Sequence, residues 1–206
     1  YEILTPCTYP LVAHRGSEEA RRAARTYLAY TLAGGAALLL GVVWLYGLVG
    51  PRDFTETGYL AAYAPGHEAA LGVIFFLLMA GLGVKAALVP LHGWLPKAMV
   101  APAPVSALLH AVAVVKSGVF GIVRVIYDVY GVELAHQMGL TAPLAAVAAL
   151  TIVYGSVRAL YQDDLKRRLA YSTVSQVSYI TLGVATVGPL ATVGGVVHLV
   201  HQGVMK

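Results

Sequence analysis

Apolar residues in this chain come in runs of about twenty, each closed by a short cluster of charge, glycine or proline. That is the length at which an α-helix crosses the hydrocarbon core of a bilayer. Residues 1–13, YEILTPCTYPLVA, read as the end of an apolar helix, followed by the polar connection HRGSEEARRAAR. Residues 27–50 form a full span, and residues 51–67 a mixed loop with Arg52, Asp53 and Glu56. The next span, residues 69–89, carries Lys85 near its end. Pro90, Pro96, Pro102 and Pro104 then interrupt the pattern. Proline removes an amide donor and restricts the residue before it, which predicts a broken or re-entrant helix here. Residues 105–127 make a further span with His110, Lys116 and Arg124, followed by a loop around Glu133 and His136. Residues 141–161 and 169–187, separated by the polar turn QDDLKRR, and residues 189–206 complete the series.

The expected fold is all-α: a polytopic transmembrane helix bundle, with residues 1–206 as one membrane domain of seven apolar spans. The chain opens without methionine or signal peptide and stops inside an apolar stretch, so it reads as a fragment whose first and last spans are truncated. Composition agrees: 58% of residues are hydrophobic and 12% charged, with a mean hydropathy of +0.72. An ordinary soluble domain carries about 25% charged residues. The net charge of +4 does not point to nucleic acid, because the basic residues are scattered through the connections and spans. An anionic membrane surface is their better partner. Cys7 is the sole cysteine, so neither an internal disulfide nor a cysteine metal cage is possible within this chain, and no cofactor is expected.

Loop charge supports the span map. Alternation puts the Arg15–Arg25 connection, the Lys97 segment and the Lys166–Arg168 turn on one side, with eight lysines and arginines between them. The loops opposite hold one, Arg52. This is the asymmetry of a cytoplasmic face against an outer face.

Ionisable residues inside the spans carry the chemistry. A lysine at the centre of a span costs ~2.5–3.5 kcal/mol on insertion scales. Lys85, Lys116 and Lys206 all lie in apolar surroundings, which is a heavy load for helices with no task beyond structure. Burial disfavours the ammonium and a nearby carboxylate favours it, so a movable acid would switch a lysine between loaded and empty states. Glu2 is the candidate acid, lying deep before the first polar connection. His110, His198 and His201 offer groups that shuttle protons near neutral pH. His198, Gln202 and Lys206 are spaced four apart and share one helix face, to which Ser106, Ser117, Ser172, Thr173 and Ser175 add hydrogen-bonding steps. For Arg124 and Arg158, near span ends, the plainer reading is snorkelling to the interface. Lys116 lies too far from either end of its span for that. One histidine pair without acid or cysteine neighbours does not make a metal site.

KAALVPLHGWLPKAMVAPAPVSALLHAVAVVKSGVF resembles the central signature of the proton-conducting antiporter-like membrane subunits. These are the L, M and N chains of respiratory complex I, the A and D chains of Mrp-type cation/proton antiporters, and the membrane chains of energy-converting hydrogenases. DDLKRRLAYSTVSQVSYITLG, YEILTPCTYPLV and GGVVHLVHQGVMK are similar to further hallmarks, so the likeness covers the chain in order. It implies two inverted five-helix repeats with broken helices, of which this chain would hold the end of one and the start of the next. It implies a proton relay in which Glu2 pairs with Lys85, His110 and Lys116 continue the path, and His198 leads to Lys206. The chain departs from the pattern at Gln202, where many members have histidine; here the histidine is His201.

The resemblance implies an integral membrane protein of a bacterial or archaeal plasma membrane, with other membrane subunits, H+ and Na+ as its partners. The HGWLPKAM and HAVAVVKSGVF stretches lean toward an antiporter chain of the D type. The alternative is a proton-pumping subunit of NADH:quinone oxidoreductase or a membrane-bound hydrogenase. No flavin, iron–sulfur or nucleotide motif is present, so the chain is not expected to transfer electrons itself. An intramembrane hydrolase has no serine or aspartate pair in suitable context.

Overall fold

A computed structural model describes residues 2–55, 57–109 and 113–205, and all regular structure among them is helical. The first helix, α1 (Leu4–Ala13), leads through Gly16 into the 32-residue α2 (Glu18–Val49). The sequence pattern places a polar connection up to Arg25, whereas the helix starts at Glu18. Ser17 caps it by accepting from the Ala20 amide at 3.2 Å, Glu18 and Glu19 meet the positive helix end, and the Ala and Arg residues that follow are strong helix formers. Its first two turns therefore extend beyond the apolar span.

α3 (Glu68–Ala86) ends abruptly just after Lys85. Ala87 takes the left-handed conformation at φ 57°, and its amide returns to the carbonyls of Gly83 and Val84. A non-glycine residue there costs roughly 1–2 kcal/mol, which the surrounding packing offsets. Residues 88–107 form the expected broken stretch, with the short helices α4 (Trp94–Lys97) and α5 (Ala103–Ala107) joined by 3₁₀ turns. The Val89 amide, which has no helical partner, donates to Thr151 Oγ1 at 3.1 Å.

Among the described residues, the span expected over residues 105–127 is not one regular α-helix. α5 passes into π-helical backbone at residues 108–109, and α6 (Val114–Arg124) begins after Ala113, whose φ −115°, ψ −68° lies away from regular helix. A π-helical stretch, Val125–Tyr130, continues α6. α7 (Val132–Gln137), α8 (Thr141–Leu160), α9 (Leu165–Ala185) and α10 (Pro189–Met205) follow. α9 starts four residues earlier than the pattern suggests, because Asp164 caps it by accepting from the Lys166 amide at 3.0 Å.

α3 is the hub, packed between α2 and α6, while α9 packs on α8, α10 and α6. Glu18–Val49, Glu68–Val100 and Thr141–Leu160 are each long and apolar enough to cross a membrane. α9 is long enough but carries Ser172, Thr173, Ser175, Gln176, Ser178 and Thr181. Four of these, Thr173, Ser175, Ser178 and Thr181, are buried, so this polar helix sits inside the bundle. Arg15, Lys97, Lys166 and Arg167 line adjoining cavities at one end, as the loop charges require. At the other end Arg52 meets Tyr63, and Arg124 pairs with Asp128 at 2.9 Å beneath the Phe54 ring.

Candidate functional site

Lys85 stands in the last turn of α3, where the unpaired carbonyls of a helix end favour a cation. Its side chain is 1% exposed, and its Nζ lies 3.3 Å from Glu2 Oε1. The Glu2 side chain is 40% exposed along its stem, yet both carboxylate oxygens are shielded from solvent. Among the described residues neither oxygen has an aligned hydrogen bond, so a charge contact is what joins the pair.

Three helices hold this pair. The Glu2 carboxylate lies flat on α2 at Gly35, where an added Cβ would stand 2.3 Å from Glu2 Cδ and 2.6 Å from each oxygen. The backbone of Lys85 rests on α6 at Gly118, whose Cβ would come within 2.8 Å of the Lys85 carbonyl carbon. Trp94, fully buried, donates its indole N–H to the Val84 carbonyl at 2.7 Å. The Trp94 ring packs 5.2 Å from Tyr27, whose hydroxyl is 2.6 Å from Thr8 Oγ1 on α1. The end of α3 is thus tied to both α1 and α2. None of these supports is signalled by the residues alone, since each depends on how one helix registers against another.

Gly35→Ala is expected to push the carboxylate off its seat. The Lys85–Glu2 contact should weaken by about tenfold, the equivalent of losing ~1.4 kcal/mol of ion pairing. Combining it with the shorter Glu2→Asp should recover part of that loss, read as protection of Lys85 from an amine-reactive reagent in detergent. A Gly35→Ala protein in which Lys85 is as well protected as in the original would show that Gly35 does not seat the carboxylate.

Lys116 lies two residues from Gly118, about 200° around the helix at 100° per residue, so it faces away from Lys85. Its Nζ donates to the Leu199 carbonyl of α10. On α10, Gln202 is fully buried and His198 half-buried, while His201 is exposed. The His198 Nε2 and both amide atoms of Gln202 are shielded and have no hydrogen-bond partner among the described residues. The rings of His198 and His201 are 6.5 Å apart, and Tyr179 lies 6.0 Å from His198. The structure therefore brings together Glu2 with Lys85, and Lys116 with the His198 segment, on opposite faces of α6. His110 and Lys206 lie outside the described residues.

The hydroxyls mostly serve the backbone. Ser106, Ser117 and Thr173 donate to carbonyls of their own segments. Ser175 donates to the Ile152 carbonyl and lies 2.9 Å from Ser156 on α8. Arg158 is exposed and lies over the Tyr171 ring, 5.4 Å from its centroid. Cys7 is an exposed free thiol. Among the described residues, no three His, Cys, Asp or Glu side chains come close enough to hold a metal ion.

This arrangement, a buried lysine beside a carboxylate at a helix break, falls within a match to a known pattern. Residues 1–206 match the family described as NADH:quinone oxidoreductase/Mrp antiporter, TM. The chain belongs to that family. Within the NADH:quinone oxidoreductase/Mrp antiporter family it is 38% identical, over its whole length, to the N subunit of NADH-quinone oxidoreductase of Desulforudis audaxviator, covering 40% of that protein. It is 33% identical to the A/B subunit of a probable K(+)/H(+) antiporter of Rhizobium meliloti, again over its whole length and covering 20% of that protein. The Mrp complex from Dietzia sp. contains a chain that superposes on 98% of this one with a TM-score of 0.85 at 30% identity; 22% of that chain is covered. The all-helical membrane architecture is thus a shared feature, and this chain spans less than half the length of each of these relatives.

Proposed function

We propose that this chain is the proton-translocating part of an antiporter-like subunit in a multi-subunit membrane complex. The observation that carries the reading is the Lys85–Glu2 pair: a lysine 1% exposed, at the end of a broken helix, 3.3 Å from an acid that is seated but not hydrogen-bonded in alignment. When Glu2 is close, its charge compensates the buried ammonium and Lys85 holds its proton. When Glu2 withdraws, the uncompensated cation in a low-dielectric interior gives the proton up. The proton passes by way of Lys116 and the His110 region toward His198 and Lys206. Gln202, which cannot titrate, is a hydrogen-bonding step with two unoccupied polar atoms in place of a relay histidine.

Within that role we read the complex as a cation/proton antiporter and the chain as D-type, with Na+ as the exchanged cation, on the HGWLPKAM and HAVAVVKSGVF stretches. The 38% identity to an N subunit of NADH-quinone oxidoreductase supports the second reading, a pump module driven by redox chemistry in neighbouring subunits. Purifying the native complex separates the two. The antiporter reading expects small, membrane-only partners, and a pH gradient in everted vesicles that collapses when Na+ is added. Iron–sulfur and NADH-oxidising subunits in the purified complex would sink it in favour of the pump. Vesicles in which neither a cation gradient nor electron transfer moves protons would sink both.

A further inference from the structure

The positively charged end of the bundle contains a cavity that the proton path does not use. It encloses about 300 Å³ between the start of α2, the end of the broken stretch and the start of α9. Arg15, Lys166 and Arg167 line it, with Glu19 and Asp164 among them. A neighbouring cavity of about 230 Å³ shares Glu19 and Arg167 and adds Arg22 and Lys97. Five cations thus face two acids. The helix termini at Glu18 and Leu165 both open at this end, and their dipoles add to the positive potential. Arg167 is held loosely, 3.7 Å from Glu19 and 3.9 Å from Asp164.

Lys166 sits where the basic cavity meets a different surface. Its Nζ is fixed by donating to the Ala101 carbonyl at 2.8 Å. From Lys166 and Met99 an apolar groove of about 160 Å³ runs between α5 and α9, past Ala103, Ala107 and Leu169. Leu165 and Leu169 are 66% and 44% exposed beside it, so the groove opens on a face suited to hydrocarbon.

We propose that this is a binding site for one anionic phospholipid, its phosphate in the basic cavity and an acyl chain in the groove. The two halves meet at Lys166, the level of the glycerol phosphate. A zwitterionic headgroup carries its own cation into a cavity that already has a surplus of positive charge. Free phosphate has no use for the groove. Basic pockets between helices at the positive face of a membrane protein are suited to such headgroups.

The test uses the purified complex, stripped of lipid in detergent and titrated with phosphatidylglycerol, phosphatidylcholine or inorganic phosphate. Bound lipid is counted by native mass spectrometry. Phosphatidylglycerol is expected to be retained in preference to phosphatidylcholine. Lys166→Gln and Arg15→Gln should each weaken it by about fivefold. Arg15 is exposed, so its replacement keeps the test alive if the Lys166 variant fails to fold. Ala103→Leu, which fills the groove, should weaken phosphatidylglycerol and leave inorganic phosphate unchanged. Equal retention of both lipids would overturn the site, as would charge variants that bind like the original protein. Phosphate binding that matches the lipid and ignores Ala103→Leu would make it a phosphate site instead. An acidic segment of a neighbouring protein cross-linked at Lys166 would make it a protein contact.

Discussion

Replacing Lys85 with alanine is expected to reduce proton movement through reconstituted vesicles to the level of protein-free vesicles, while the complex still assembles. The substitution removes the amine that faces Glu2 but leaves the close backbone contacts of α3 with α2 at Gly81 and with α6 at Gly118. Alanine is also the better helix former. Lys85→Arg sharpens the result. Arginine keeps the positive charge but does not release a proton in any accessible range, so that variant should assemble equally well and remain inactive. Acidification at the original rate by either variant would show that the proton does not pass through position 85.

A large structural effect is expected at Gly118. A Cβ there would stand 2.4 Å from the Ala86 nitrogen and 2.8 Å from both the Leu82 oxygen and the Lys85 carbonyl carbon. All three are backbone atoms of α3, so no side-chain rotation relieves the clash. Gly118→Val forces α6 away from α3 and should cost ~3 kcal/mol or more, the upper end of overpacking penalties. Gly72→Val is the matched control on α3 itself, since a Cβ at Gly72 meets nothing within 4 Å. Thermal unfolding in detergent, followed by size-exclusion chromatography, should show the Gly118 protein losing its folded peak well below the temperature at which the Gly72 protein does. Coincident transitions would mean that α6 does not lock the position of Lys85.

Much of this architecture is legible in the chain because a bilayer leaves few alternatives. Runs of apolar residues become helices where backbone groups must be satisfied internally, and the prolines after residue 89 mark the break. His198 and Gln202, four apart, share a covered side of α10, while His201 is exposed. The start of α2 is misread by hydropathy alone because Ser17 and the first-turn acids cap a helix that is polar at its beginning. The departure from helical geometry at Ala113 is hidden for the opposite reason: its surroundings are apolar on both sides, and no proline marks the change. Lys85 and Glu2 are found by asking which charges lie deep in apolar runs. Gly35, Gly118 and Trp94 are not, because a glycine that seats a carboxylate and one that merely softens a helix look alike in a sequence.

The polarity of α9 also bears on how the protein reaches the membrane. Thr173 and Ser178 bond carbonyls of α9 itself, while Ser175 reaches across to the Ile152 carbonyl and Ser156 of α8, and Gly155 lets the two backbones close to contact. α8 meets the hydropathy of an independent span and α9 does not. A nascent α9 entering lipid alone would expose those hydroxyls to hydrocarbon. Paired with the helix made just before it, Ser175 is covered on arrival. α8 and α9 are therefore expected to enter the bilayer together as a hairpin, and the turn of residues 161–164 is short enough to keep them side by side during synthesis.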